Sequence, residues 1–374
     1  MVYHDRDGDG MPDGLDAFPD DASEDTDTDN DGTGDNADAF PYDETEITDT
    51  DNDGVGDNSD DDIDADNTLN EDDLFPYDAT GSSSADDIDT DNDGLIEIST
   101  LAQLNAIRDD LAGTSLSGVT AGCAGSELGT GCIGYELTAD LNFDENADGE
   151  RNDTYNTNEG WEAIGNEDAP FTANFDGNGF TISNLFIDRP DSDDQGLFGF
   201  VGSVSISNIN IDGDQTSVTA DDYSALLVGT SEDDAEIVLS NIYVSGAVNG
   251  DHDLGLVGGN LNDVTATQVH ASGVVIGEDD DIGGASGQLG GSSTLSFISF
   301  EGSVTGLVTL GGIVADAEEL VLSDSFAIVD ITGIISIDED ESVAGGLVGE
   351  MEASTLTRVF AQGQISGLSV IGGL

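Results

Sequence analysis

In four stretches of the chain, aspartates recur at every second position around a fixed glycine. The first is Asp5-x-Asp7-x-Asp9-Gly10-x-x-Asp13-x-x-Asp16, followed by Phe18-Pro19. The second is Asp27-x-Asp29-x-Asp31-Gly32-x-x-Asp35-x-x-Asp38, followed by Phe40-Pro41. The third is Asp49-x-Asp51-x-Asp53-Gly54-x-x-Asp57-x-x-Asp60. Its Phe-Pro is missing at the expected place, Asp62, and returns after an insertion as Phe75-Pro76. The fourth, Asp89-x-Asp91-x-Asp93-Gly94-x-x-Glu97, runs straight into a helical pattern. The first three glycines step by 22 residues (32 − 10 and 54 − 32).

This spacing suits calcium. Ca²⁺ takes about six to eight oxygens at roughly 2.3–2.6 Å, and a loop offering oxygens at positions 1, 3, 5, 7, 9 and 12 wraps it. Position 6 must turn sharply, hence the glycines. Position 7 gives its backbone carbonyl, so Met11, Thr33, Val55 and Leu95 need no particular side chain. Position 12 is Asp in three blocks, shorter than the usual Glu. That predicts monodentate ligation there, or a carboxylate reaching a neighbouring ion. Mg²⁺ is less suited, because it prefers fewer ligands and keeps its waters. An acidic disordered linker would explain the charge, but neither the glycine nor the fixed interval. A fifth loop, Asp144-x-Asn146-x-Asp148-Gly149-x-x-Asn152, has the first half of the pattern and Tyr155 at position 12. It reads equally as an Asp/Asn-rich turn.

The elements that position these loops fall into two textures. The chain has 374 residues, 82 acidic and 5 basic, with no Lys, and a net charge of −77. Such a surface repels nucleic acid and anionic lipid. Lys nucleophiles and Schiff bases are impossible. Residues 1–98 carry dense acid against one base, Arg6, and would be disordered on composition alone. From about residue 99, Val, Ile, Leu, Gly and Ser dominate. Leu101, Leu104, Ile107 and Leu111 share a helical face behind a Ser99-Thr100 cap. No apolar run approaches the roughly 18 residues that cross a bilayer, so no membrane insertion is expected. The start lacks a signal-peptide core. Cys123 and Cys132, without nearby His, read as a small-loop disulfide in an oxidising, extracellular or cell-surface setting, with two free thiols as the alternative.

The acidic blocks resemble the thrombospondin type 3 repeat, in the form found in bacterial surface proteins. The resemblance covers about residues 5–97. It implies a chain wound around calcium ions with little regular secondary structure. Phe18, Phe40 and Phe75 then stand where animal members carry bridging Cys, as small apolar plugs.

A second repeat, apolar–Ser/Thr–x–apolar–x–apolar, starts at Ile182, Ile206, Leu239, Ala266, Leu295, Leu322 and Leu356. Its Ser/Thr residues step by 24 to 34 (207 − 183 and 357 − 323). Gly-rich partners accompany it, among them Gly196-Leu197-Phe198-Gly199 and Gly255-Leu256-Val257-Gly258. Short β-branched strands with Gly and Asp at corners predict a right-handed parallel β-solenoid, with a sandwich or propeller as the runner-up. Glu278–Asp281 and Asp338–Glu341 are expected in exposed corner loops. The Gly-Leu-Val-Gly units resemble the GLUG motif of bacterial surface proteins and of regions beside immunoglobulin A protease domains. That implies a fold and a surface setting but no activity.

The expected organisation is calcium repeats over 1–98, a helix, disulfide loop and solenoid entry over 99–180, and a GLUG-type solenoid over 181–374. His4, His252 and His270 share no catalytic motif, and His270 reads as an outward ladder residue. The function expected is an extracellular calcium-binding structural or adhesive module, or a fibre subunit, not an enzyme, with a glycan-active solenoid enzyme (lyase or hydrolase) as the alternative. Partners expected are calcium, a second copy head-to-tail, or a cell-surface glycan or protein. The chain stops at Gly372-Gly373-Leu374 inside a repeat, which suggests a piece of a longer protein.

Overall fold

A computed structural model describes residues 4–83, 86–123, 131–334, 342–367 and 370–372. Asp338–Glu341, Gly373 and Leu374 lie outside the described residues. The chain divides into two compact units. One comprises Met1–Thr90 with Val119–Gly125, the other Asp91–Gly118 with Ser126–Leu374.

The first unit is built from turns and bends, with no strand and no α-helix among its described residues. Its buried apolar side chains are few: Ile63, Ala121 and Cys123. Phe18, Phe40 and Phe75 are only half-buried, so they are weaker plugs than the sequence suggests. What is buried instead is acid: Glu24, Asp38, Glu46, Asp64 and Asp89 are each less than a tenth exposed.

The second unit is a parallel β-solenoid. Its strands form sheets of 16, 6 and 4 strands, and every pairing between named strands is parallel, which excludes the antiparallel sandwich and propeller. One inward column runs Ile96, Tyr135, Phe175, Ile206, Leu239, Ala266, Leu295, Leu322 and Leu356 in direct register. Stacking like on like buries an apolar ladder without requiring a wide core. The parallel stack therefore takes in strands from Ile96 onward. A short helix, Leu101–Ala106, follows the first strand and continues as a 3₁₀ turn to Asp109. Thr100 Oγ1 accepts the Gln103 N–H at 3.2 Å and caps it.

One predicted repeat sits elsewhere than expected. Ile182 pairs with Ile211, not with Ile206, and Phe186-Ile187 pair with Ser217-Val218, so the 182–187 segment spans the second and third strands of its turn. Phe175-Asp176 fills the first. The two corners look alike in sequence because each turns at a left-handed asparagine, Asn184 (φ 60°) and Asn208 (φ 51°). The other predicted starts, from Ile206 to Leu356, share one column.

The Gly-rich segments also align: Phe198, Val228, Gly258, Ser286, Val314 and Val348 are in register. Their glycines serve close backbone approach. A Cβ on Gly259 would lie 2.4 Å from the Tyr223 carbonyl carbon and 2.5 Å from the Gly229 oxygen. In the expected corner loop, Glu278 and Asp279 are exposed while Asp280 and Asp281 are half-buried. The last turn, Val348–Glu352, Thr355–Thr357 and Phe360–Ser366, pairs on one side only among the described residues.

Candidate metal-binding loops

Each acidic loop is wound by its own carboxylates. The position 5 Asp accepts the position 7 N–H: Asp9 from Met11 (2.6 Å), Asp31 from Thr33 (2.7 Å), Asp53 from Val55 (2.8 Å), Asp93 from Leu95 (2.8 Å). The position 3 Asp accepts the position 5 N–H in the same way, at 3.3 Å for Asp7, 3.2 Å for Asp29 and 2.9 Å for Asp51. At position 1, Asp27 and Asp49 reach the glycine N–H of Gly32 (3.2 Å) and Gly54 (3.1 Å). These bonds curl the backbone; Asp7, Asp29, Asp31 and Asp49 each keep a second oxygen without a partner, whereas both oxygens of Asp27 accept, from Asn30 N and Gly32 N.

Two residues per loop are left-handed. At position 6, Gly10, Gly32, Gly54 and Gly94 have φ between 89° and 107°. A Cβ on Gly10, Gly32 or Gly54 would meet nothing within 4 Å, so conformation and not space selects glycine there. At position 4, Gly8, Asn30, Asn52 and Asn92 are also left-handed. That repeated Gly/Asn is a signal the sequence reading passed over.

The apparent insertion between the third and fourth blocks is a further loop of the same kind. Asp62, Asp64 and Asp66 bring carboxylate oxygens within 4.8 Å of one another, as do Asp5, Asp7 and Asp9, Asp27, Asp29 and Asp31, and Asp49, Asp51 and Asp53. Asn67 (φ 77°) replaces glycine at position 6, and Ala65 (φ 60°) stands at position 4. Thr68 N donates to Asp66 Oδ1 at 2.5 Å. Asp73 takes position 12, two residues before Phe75. The register restarts 13 residues after Asp49 (62 − 49) and not 22, which hid the loop.

Position 12 belongs to the cluster electrostatically. Burial pushes the Asp64 carboxyl up, against an opposing hydrogen bond from Asp66 N–H, with Asp66, Asp73 and Asp62 adding like-charge repulsion. Asp29 is raised by burial and by the charges of Asp31, Asp38 and Asp27. One oxygen of each position 12 Asp accepts a backbone N–H two residues on: Asp16 from Phe18, Asp38 from Phe40, Asp60 from Asp62 and Asp73 from Phe75.

Several buried carboxylate oxygens have no hydrogen-bond partner. They are Asp49 Oδ1 and Asp62 Oδ1 at position 1, Asp7, Asp29 and Asp64 Oδ2 at position 3, Asp31 Oδ2 at position 5, and Asp16 and Asp73 Oδ2 at position 12. Buried acceptors without donors cost free energy. The carboxylates at positions 1, 3 and 5, with oxygens within 4.8 Å of one another, fit one hard cation, whose ligands at about 2.3–2.6 Å lie no more than roughly 5 Å apart.

Position 9 is different. Both oxygens of Asp35 are occupied: Oδ1 accepts Thr28 N (2.8 Å), and Oδ2 accepts the hydroxyls of Thr28 (2.6 Å) and Thr26 (2.9 Å). Asp57 repeats this with Thr50 and Thr48, and Asp13 Oδ1 accepts Arg6 N at 2.9 Å. These carboxylates brace the loop from behind. Glu24 and Glu46, unforeseen from sequence, do likewise. Their Oε2 atoms accept Asn36 N (3.1 Å) and Asn58 N (3.0 Å). A Cβ on Gly34 would fall 2.0 Å from Glu24 Oε2, which accounts for that glycine.

The fourth block crosses the division between the units. Asp89 is fully buried in the first. Asp91, Asp93 and Glu97 belong to the second, where Glu97 is in register with Glu136. The fifth loop also winds in full: Asp148 N donates to Asn146 Oδ1 (2.9 Å), Glu150 N to Asp148 Oδ1 (2.8 Å) and Gly149 N to Asp144 Oδ2 (3.0 Å). At its position 12, Tyr155 packs edge-on against Trp161 and offers no carboxylate. Cys123 and Cys132 are both disulfide-bonded. His270 is in register with Tyr243 and Ser299, as an outward ladder position requires.

No known protein-family profile matches the sequence. Over 124 residues, 32% of this chain, it is 35% identical to halomucin of Haloquadratum walsbyi; the match covers 1% of that protein. Over 86 residues it is 34% identical to a provisionally assigned Gly-rich membrane protein of Evansella cellulosilytica, covering 23% of this chain and 10% of that protein. The chain thus spans a small part of the curated relatives it matches. A Bacteroides ovatus structure provisionally assigned as an immunoglobulin A1 protease superposes with a TM-score of 0.46 and 17% identity, covering 75% of this chain and 83% of that one. No helix among the described residues is long and apolar enough to cross a membrane.

Proposed function

We propose that the first unit binds several calcium ions, and that the chain is an extracellular or cell-surface structural module in which metal-stiffened repeats precede a β-solenoid rod. The observation that carries this reading is the set of buried carboxylate oxygens without partners, which fall at positions 1, 3, 5 and 12 of successive loops. Asp5, Asp7, Asp9 and Asp16 would hold one ion, with the Met11 carbonyl. The same positions of the next three loops would hold theirs, the last through Asp62, Asp64, Asp66 and Asp73. In this arrangement position 9 supports the loop and does not supply its best oxygen.

The energetics favour metal dependence. Two like charges about 4 Å apart repel by about 1 kcal/mol at the dielectric of water and about 4 kcal/mol at an effective dielectric near 20. Each loop crowds three or four, and the unit has almost no apolar core to offset them. A cation reverses that sign. At 100 times its Kd, one ion adds about 2.7 kcal/mol of stability per site. The resemblance to thrombospondin type 3 repeats and GLUG segments and the disulfide accord with a secreted or surface setting. Calcium titration with equilibrium dialysis tests the reading: several ions per chain support it, and none at millimolar calcium overturns it.

A further inference from the structure

One groove in the solenoid lacks acid in a chain that has acid almost everywhere. Thr267, Gln268, Val269 and His270 of one turn and Phe297 and Ser299 of the next line it. Register places His270 beside Ser299, and Thr267 beside Ser296, so Gln268 and Phe297 occupy the same corner on adjacent turns.

That corner is a column of left-handed residues. Asn208, Asn241, Gln268, Asp324 and Arg358 all have φ between 51° and 56°, and each carries a polar side chain. Phe297 (φ 57°) interrupts the column. A bulky aromatic residue is a poor occupant of this conformation, which asparagine tolerates far better. Burial does not compensate, for Phe297 is 58% exposed. A strained, exposed ring amid polar groups points to use by a ligand.

The surroundings define that ligand. Tyr243 stacks on His270 at 5.2 Å, and Ser299 Oγ lies 2.6 Å from His270 Nδ1, so the imidazole is fixed and any ligand bond must come through Nε2. Ser296 Oγ donates to Thr267 Oγ1 at 3.2 Å, so the Thr267 hydroxyl proton is not spent on that bond. Asp324, the next acid along the column, is paired with Arg358. The groove thus offers a ring face, an amide, an imidazole and a hydroxyl, with no carboxylate to select a cation. The chain's charge of −77 opposes an anion.

We infer that this corner is a binding subsite for a neutral glycan, with the C–H face of one pyranose on the Phe297 ring and its hydroxyls on Gln268, His270 and Thr267. The site belongs to the second unit and does not depend on the calcium reading. The test titrates the calcium-loaded full chain, and the same chain in EGTA, with cellohexaose, mannohexaose, laminarihexaose and N-acetylchitohexaose, and with hexagalacturonate as the anionic control. At least one neutral probe should bind, with and without EGTA, and hexagalacturonate should not. Phe297→Asn should weaken binding at least tenfold while melting at the same or a higher temperature, because asparagine suits the backbone better. Gln268→Ala should also weaken binding. No binding of any neutral probe, equal binding of hexagalacturonate, unchanged affinity in Phe297→Asn, or a lower melting temperature in that variant would each overturn the assignment, the last by showing that packing holds Phe297 there.

Discussion

Asp73 Oδ1 accepts the Phe75 backbone N–H at 2.8 Å, while its other oxygen is buried without a partner. Asp16 stands in the same relation to Phe18, at 2.8 Å. In these two loops the aromatic residue that follows thus fixes the last carboxylate through one oxygen and leaves the other buried without a partner. This makes 62–73 a loop equivalent to 5–16 despite its lack of glycine. Asp64→Ala should lower the calcium stoichiometry by one ion in dialysis and leave the other loops bound. Asn67→Val should have a similar effect, since a β-branched residue in the left-handed region costs roughly 1–2 kcal/mol or more. An unchanged ion count in Asp64→Ala would remove this loop from the account.

Ligand and brace should separate in the second loop. Asp31→Ala removes a clustered oxygen and should abolish that site. Asp35→Asn removes a support for Thr28 and Thr26, and losing such outer contacts typically costs about 10–100-fold in metal affinity. A variable position, Thr33, contributes only its carbonyl, so Thr33→Ala should change little. Site-resolved NMR titration ranks the three, and equal losses in Asp35→Asn and Asp31→Ala would make position 9 a ligand.

The four glycine blocks were legible because aspartate and glycine recur there at fixed steps. The 62–73 loop was not, because its restriction is on φ, which Asn67 satisfies as well as glycine. Glu24 and Glu46 were missed for a related reason. They act through Asn36 N and Asn58 N, and a backbone partner leaves no mark on composition. In the solenoid, alternating apolar residues revealed the parallel fold but not which of two similar corners Ile182 belonged to; the register with Ile211 decides it.

The Gly-rich segments should be intolerant of a methyl group. Gly259→Ala would set a Cβ 2.4–2.6 Å from backbone atoms of Tyr223, Gly229 and Ser224. Backbone cannot yield as a side chain does, so a loss at or above the usual overpacking cost of about 1–3 kcal/mol is expected. Thermal unfolding of the second unit measures it, and a change within about 0.5 kcal/mol would contradict the close approach.

Acidification should strengthen the solenoid locally. Burial, with the charges of Asp280, Asp253 and Asp316, pushes the Asp281 carboxyl up to about 8. Burial, with Asp193, Glu167 and Asp222, pushes Asp194 to about 6. A raised folded value means the native state binds more protons than the unfolded chain between an ordinary carboxylate value near 4 and these values. Stability therefore falls as pH rises through that window. Hydrogen exchange around Asp281 should slow from pH 8 to pH 5, after correction for intrinsic rates, and Asp281→Asn should flatten the difference. A slope of opposite sign would refute the burial argument.

If cations, not an apolar core, hold the first unit together, its dimensions depend on bound metal. Small-angle scattering of the full chain in calcium and then in excess EGTA tests it most directly. The expected result is an expansion confined to residues 4–90, with amide exchange in the solenoid strands from Val204 onward unchanged and reversal on restoring calcium. Identical scattering dimensions in calcium and in chelator would contradict it.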